Sequence, residues 1–154
     1  MSNNMWRVQL QDYTAFLKQK YNLNDEQIRQ ELLSVDIPIE IYNCDNTPLQ
    51  ATIVYFKDYL GYEFWEISNM LAKSIAELKQ SYGKANKTPG NIKGTTINSA
   101  IFSNKNLSYG ELIVKELINM NMSVKDIATS LGKDVQTIHT LKRRASIKLK
   151  EVND

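Results

Sequence analysis

Within residues 133–150 the chain carries Lys133, Lys142, Arg143, Arg144, Lys148 and Lys150 against one acid, Asp134. Gln136, Thr137 and Thr140 stand among them. These residue types suit a nucleic-acid surface. Gln and Arg can each make two hydrogen bonds to a base edge, and Thr offers a hydroxyl plus a methyl for thymine. Lys and Arg neutralise phosphates and position a protein on a duplex without reading its sequence. Gln136, Thr137 and Thr140 are therefore the candidate base contacts. Lys133, Arg143, Arg144 and Lys148 are the candidate phosphate contacts. The competing reading is a solvated helix end, because basic side chains favour helix C-termini whatever they touch. His139, at the edge of this set, reads first as an ordinary surface residue.

Those side chains need a helix to present them. Unrolled at ~100° per residue, Val135, Ile138, Leu141, Ala145 and Leu149 fall on one inward stripe. Gln136, Thr140 and Arg143 face the other way, flanked by Thr137, His139 and Arg144. Asp134 can cap this helix, expected over 135–150. Upstream, Ser123 can cap a short helix ending at Gly132. Ala128 is small enough for a close helix crossing, and Gly132 suits a turn that enters positive φ. Ile127, Leu131, Val135, Ile138 and Leu141 would close a small core, giving a helix-turn-helix over 123–149.

The same pattern occurs earlier. Aligning 37–87 with 97–147, a shift of 60 without a gap, pairs Ile37/Ile97, Ile41/Ile101, Asn46/Asn106, Ile53/Ile113, Val54/Val114, Ile67/Ile127, Leu71/Leu131, Lys73/Lys133 and Ala85/Ala145. These identities lie mostly at inward positions, which marks an internal duplication of about 50 residues. In the first copy, Pro38 and the alternation of Ile37, Ile39 and Ile41 predict an extended stretch. Thr47-Pro48-Leu49-Gln50 predicts a helix start running to Gly61. Helices over about 62–71 and from Ser74, with Ile75, Leu78, Tyr82 and Ala85 inward, complete the copy. In the second, Ser108-Tyr-Gly-Glu111 is a capping box, with Leu112, Ile113, Leu117 and Met120 on the inward face. Residues 88–96, with Pro89, Gly90 and Gly94, read as a linker. Before the copies, Trp6, Leu10, Tyr13, Phe16, Leu17 and Tyr21 predict a helix over 5–21. Asn24 opens a second, over 25–34. The expected architecture is thus all-α: an N-terminal helical hairpin (1–36), a first helix-turn-helix unit (37–87), the linker (88–96) and a second unit (97–154).

Composition bounds the function. The chain has 154 residues, 42% hydrophobic and 23% charged, with mean hydropathy −0.41, which excludes low-complexity disorder. Single Cys and His residues, Cys44 and His139, leave no disulfide framework or Cys/His zinc site. Cys44, in a turn, reads as inert. No run reaches the ~18 apolar residues of a membrane span. The start MSNNMWRVQL lacks a secretion-signal pattern, so a cytoplasmic, nucleoid-associated chain is expected. Net charge is +2, but residues 1–94 hold 10 basic and 11 acidic residues while 95–154 hold 9 and 6. No nucleophile motif, phosphate-binding glycine loop or carboxylate cluster is present, so neither catalysis nor a cofactor is expected.

Residues 123–149 resemble the C-terminal DNA-binding region of bacterial sigma factors. The resemblance is carried by Asp126-Ile127-Ala128, Leu131-Gly132, Thr137-Ile138, Arg143-Arg144-Ala145 and Lys148-Leu149. It implies a tetrahelical-type helix-turn-helix with Gln136, Thr137, Thr140, Arg143 and Arg144 facing DNA. The element before each copy also resembles small duplicated helix-turn-helix proteins of archaeal and viral type. The first copy departs from the pattern: Ser68, Ala72 and Ser81 stand where the second has Ala128, Gly132 and Leu141. Its third helix would present Ala76, Glu77, Gln80, Gly83 and Lys84. Trp65, opposite Phe64, Ile67 and Leu71, should point outward, and Trp65 with Trp6 forms a candidate interaction surface. The expected function is sequence-preferring double-stranded DNA binding in transcriptional regulation. RNA polymerase and a second copy of the chain are further candidate partners, and no membrane is expected. The alternative is a protein-interaction or oligomerisation adaptor, polymerase-associated or acting in viral assembly or DNA packaging.

Overall fold

Capped runs of apolar residues at three- and four-residue spacing become helices, and short ones here need a shared core. The computed structural model describes residues 12, 15–24, 27, 34–87 and 94–153 and divides into two units, Met1–Ser34 and Val35–Asp154. In the first, residues 15–21 are helical. Phe16 and Tyr21 meet edge to face at 6.4 Å. Asn24 and Gln27 exchange side-chain-to-backbone hydrogen bonds of 2.9 and 2.8 Å, the cap expected there. Trp6 and most of the hairpin reading lie outside the described residues.

The second unit contains both copies. Its elements run β1 (Asp36–Pro38), a 3-10 turn (Ile39–Tyr42), α1 (Pro48–Val54) continuing as one π turn (Tyr55–Tyr59), α2 (Phe64–Leu71) and α3 (Ile75–Lys84). Then come β2 (Thr96–Asn98), a 3-10 turn (Ser99–Ser103), α4 (Tyr109–Asn119), α5 (Val124–Leu131) and α6 (Val135–Asn153). Subtracting 60 from the start of β2, α5 or α6 gives the start of β1, α2 or α3. The expected caps form: Thr47 with Gln50 and Ser108 with Glu111 as reciprocal boxes, Ser74 and Ser123 on the third residue of their helices. Glu63 and Glu66 make a further box.

The described residues are mostly helical, with one two-stranded sheet among them added to the expected all-α plan. β1 and β2 run antiparallel, with Ile37 opposite Ile97. Two residues equivalent in the duplication thus face each other, as a local two-fold relation requires. The extended stretch expected around Ile37, Ile39 and Ile41 holds for Asp36–Pro38 only. Beyond Pro38 the chain tightens into a 3-10 turn that buries Ile39, Ile41 and Tyr42. The 3-10 turn of the first copy packs on α5 of the second, and that of the second on α2 of the first. One core therefore draws Ile37, Ile53, Phe56, Ile67 and Leu78 from one copy and Ile97, Phe102, Ile113, Ile127 and Ile138 from the other. Of the linker reading, 88–93 lie outside the described residues. Thr95 O accepts a hydrogen bond from Ile39 N at 3.1 Å, and Thr96 belongs to β2.

The ungapped alignment hides two compensating insertions. The cap residues Thr47 and Ser108 are 61 apart, not 60. The second copy's 3-10 turn is one residue longer. The first copy restores register with its π turn, closed by Leu60 N donating to Tyr55 O at 3.0 Å; a π turn is a one-residue insertion in an α-helix. Along α1 and its π turn on one side and α4 on the other, the structural partners are thus Ile53/Val114 and Phe56/Leu117, all fully buried. The pairings Ile53/Ile113 and Val54/Val114 are one residue out of register there.

Three residues expected inward are exposed: Val135 at 44%, Ile75 at 41% and Met120 at 43%. Val135 and Ile75 are the first residues of α6 and α3, where the Cα–Cβ bond tilts toward the helix N-terminus and off the end of the packed layer. Met120 is the C-cap of α4, beyond the last turn that packs.

Candidate nucleic-acid interface

α5 and α6 are set by a three-residue turn. Gly132 ends α5 in the left-handed region, at φ 65°. Asp134 Oδ1 then accepts from Thr137 N at 2.7 Å, so α6 begins at once. The Thr137 amide and hydroxyl hold the Asp134 carboxyl below the usual carboxylate range. Ile127, Ala128, Leu131, Ile138 and Ala145 pack the inner faces of the two helices.

The outer face of α6 keeps the polar set open. Gln136, His139, Lys142, Arg143 and Arg144 are exposed, and Thr137 and Thr140 are half-buried. Gln136, Thr137, Thr140 and Arg144, with Asp134 and Leu141, surround one shallow depression of about 360 Å³. Their hydrogen-bonding capacities differ. Thr140 Oγ1 donates to Gln136 O at 2.9 Å, so toward a ligand it offers lone pairs and a methyl. Thr137 is engaged with Asp134. The Gln136 amide is the member with donors and an acceptor uncommitted among the described residues.

The phosphate candidates separate. Arg143, Arg144 and Lys133 are exposed. Lys148 lies elsewhere: its Nζ donates to both carboxylate oxygens of buried Glu111, at 2.9 and 3.0 Å, and compensates that charge. Nothing in the spacing signalled this pair, because Glu111 read as a cap and its burial depends on α6 lying over α4.

The equivalent face on α3 is poorer in available charge. Ala76, Glu77, Gln80, Gly83 and Lys84 are exposed there as expected. Lys73 pairs with Glu77 at 3.3 Å, and Lys87 donates to Tyr82 O and Ala85 O. Trp65 is 58% exposed, pointing outward as its spacing required. Cys44 Sγ donates to Ile41 O at 3.2 Å. Among the described residues, no group of three or more His, Cys, Asp or Glu is placed to hold a metal, and no helix is long and apolar enough to cross a membrane.

The sequence reading also missed two loop contacts that bind the copies together. Asn43, after the first 3-10 turn, sits where a Cβ on Gly132 would overlap its Oδ1. Lys105, after the second, donates to Leu71 O at 2.9 Å and Ala72 O at 3.3 Å. Comparison of the chain with protein-family models, with curated proteins and with solved structures gives no match.

Proposed function

We propose that the chain binds double-stranded DNA through α5, the turn 132–134 and α6, acting as a helix-turn-helix in transcriptional regulation. In this reading the N-terminal half of α6 enters the major groove, and Gln136, Thr137 and Thr140 meet base edges. Lys133, Arg143 and Arg144 neutralise phosphates and release counterions. The observation that carries the proposal is the exposed row Gln136, Arg143 and Arg144 on a helix whose other face is packed. Lys148 is left out of the phosphate set because Glu111 holds it. α3, with Glu77 on its face, supplies scaffold in this scheme.

Fluorescence anisotropy on duplex DNA at several salt concentrations tests the proposal. Arg143→Ala with Arg144→Ala should weaken binding to every duplex and reduce the slope of log K against log salt by about 2. Gln136→Ala should lower discrimination between sequences more than overall affinity. Unchanged binding in both variants would reject the assignment. Exposed Trp65 and Ile147 favour a second reading, a protein-interaction adaptor, which predicts no duplex binding at low salt.

A further inference from the structure

A cleft of about 550 Å³ lies between the two copies, within the 35–154 unit. That is the size range of small-molecule sites. Its wall is apolar and aromatic: Tyr109 stacks on Phe102 with ring centres 4.1 Å apart, beside Leu49 and Leu141. The charged residues lining it are Lys73, Lys105 and Lys133, with no Asp or Glu.

Two features, the Tyr109 hydroxyl and Gly110, lack a purely structural reason. The buried hydroxyl of Tyr109 has no hydrogen-bond partner, whereas a buried phenol ordinarily finds one. Tyr42, also lining the cleft, is satisfied by Thr52 Oγ1 at 2.9 Å. Lys105 spends two donors on Leu71 O and Ala72 O and retains a third. Desolvation and neighbouring Lys73 lower its pKa, and the nearby Glu77 carboxylate opposes them. Gly110, in α4, has no positive φ, and a Cβ there would meet Leu141 and Pro48 only at ordinary contact, 3.6–3.9 Å. Glycine weakens a helix, yet here it leaves the cleft open.

We propose that this cleft is a binding site for a small organic anion with an apolar, ring-containing body, such as an aryl carboxylate. The anionic group accepts from the Tyr109 hydroxyl and the ammoniums of Lys105 and Lys133, Lys73 being paired with Glu77, and the body lies against Leu49, Phe102 and Leu141. Thr137 and Leu141 line both this cleft and the depression on the outer face of α6, so occupancy would reach the reading helix. Only that regulatory consequence rests on the DNA-binding proposal; the site itself does not.

The probe is 1-anilinonaphthalene-8-sulfonate, titrated by fluorescence into the full chain without DNA. N-phenyl-1-naphthylamine, the same skeleton without the sulfonate, is the comparator. Saturable one-to-one binding of the sulfonate, at least about fivefold (~1 kcal/mol) tighter than the neutral probe, is expected. Gly110→Leu should fill the cleft and abolish binding while helical circular dichroism is kept. Tyr109→Phe should weaken binding about fivefold while raising Tm, since it removes an unpaired buried hydroxyl. Equal affinity for both probes, no saturable binding, or Tyr109→Phe leaving affinity unchanged would each overturn the proposal. Should Gly110→Leu fail to fold, Tyr109→Phe and the neutral comparator decide it.

Discussion

The two C-cap positions, Gly132 and Ala72, adopt the same left-handed backbone at φ 65° and 52° with different residues. Gly132 is required twice, for its φ and because Asn43 occupies the space of a Cβ. Ala72 carries the strain of a left-handed L-residue, roughly 1–2 kcal/mol. Thermal denaturation should show Ala72→Gly stabilising by about 0.5–1 kcal/mol and Gly132→Ala destabilising by more than that. Adding Asn43→Ala to Gly132→Ala should recover the steric part of the loss and leave the backbone part. Asp134 gives a pH-dependent counterpart. Its folded-state pKa lies below its unfolded value, so its capping contribution is complete above the ordinary carboxylate pKa of about 3.9. That contribution falls away as pH drops through the folded value. Asp134→Ser, a cap that does not titrate, should lose less helicity below about pH 4 by circular dichroism.

At the scale of elements, the π turn Tyr55–Tyr59 explains how two helices with caps 61 residues apart feed helices that start 60 apart. The first copy has one residue to spare there and α4 has none. Deleting Asp58 should let α1 run on as regular α-helix, at the cost of the 2.7 Å Tyr82–Asp58 hydrogen bond. Deleting Lys115 turns Leu117, fully buried in α4, by ~100° away from the core. Comparing melting curves, the Asp58 deletion should lower Tm clearly less than the Lys115 deletion. The caps and inward faces of these helices were legible because Ser, Thr and Asp at N-caps satisfy backbone donors locally. The π turn was not, because its cause lies in the other copy's longer 3-10 turn.

For the molecule as a whole, each copy completes its partner. Ile37 and Ile97 pair across the sheet, and the segments after them pack on the other copy's helices. Residues 94–154 alone would expose Ile97 and Phe102, both buried in the shared core. That fragment should give no cooperative thermal transition, whereas 35–154 should. Fragments 35–90 and 91–154, mixed, should regain cooperative folding as a complex. A cooperative transition in 94–154 alone would show that the crossed packing is dispensable.

The residue order by itself determined the caps of α1, α3, α4, α5 and α6, the left-handed turn at Gly132 and the outward polar row of α6, because each depends on spacing and short-range hydrogen bonding. Only the tertiary structure decided that Lys148 neutralises Glu111, that Val135 lies outside the core, and that a lysine-rimmed cleft opens beside an unpaired Tyr109 hydroxyl. Those outcomes depend on which surfaces meet across some sixty residues of chain, and no local pattern encodes that choice.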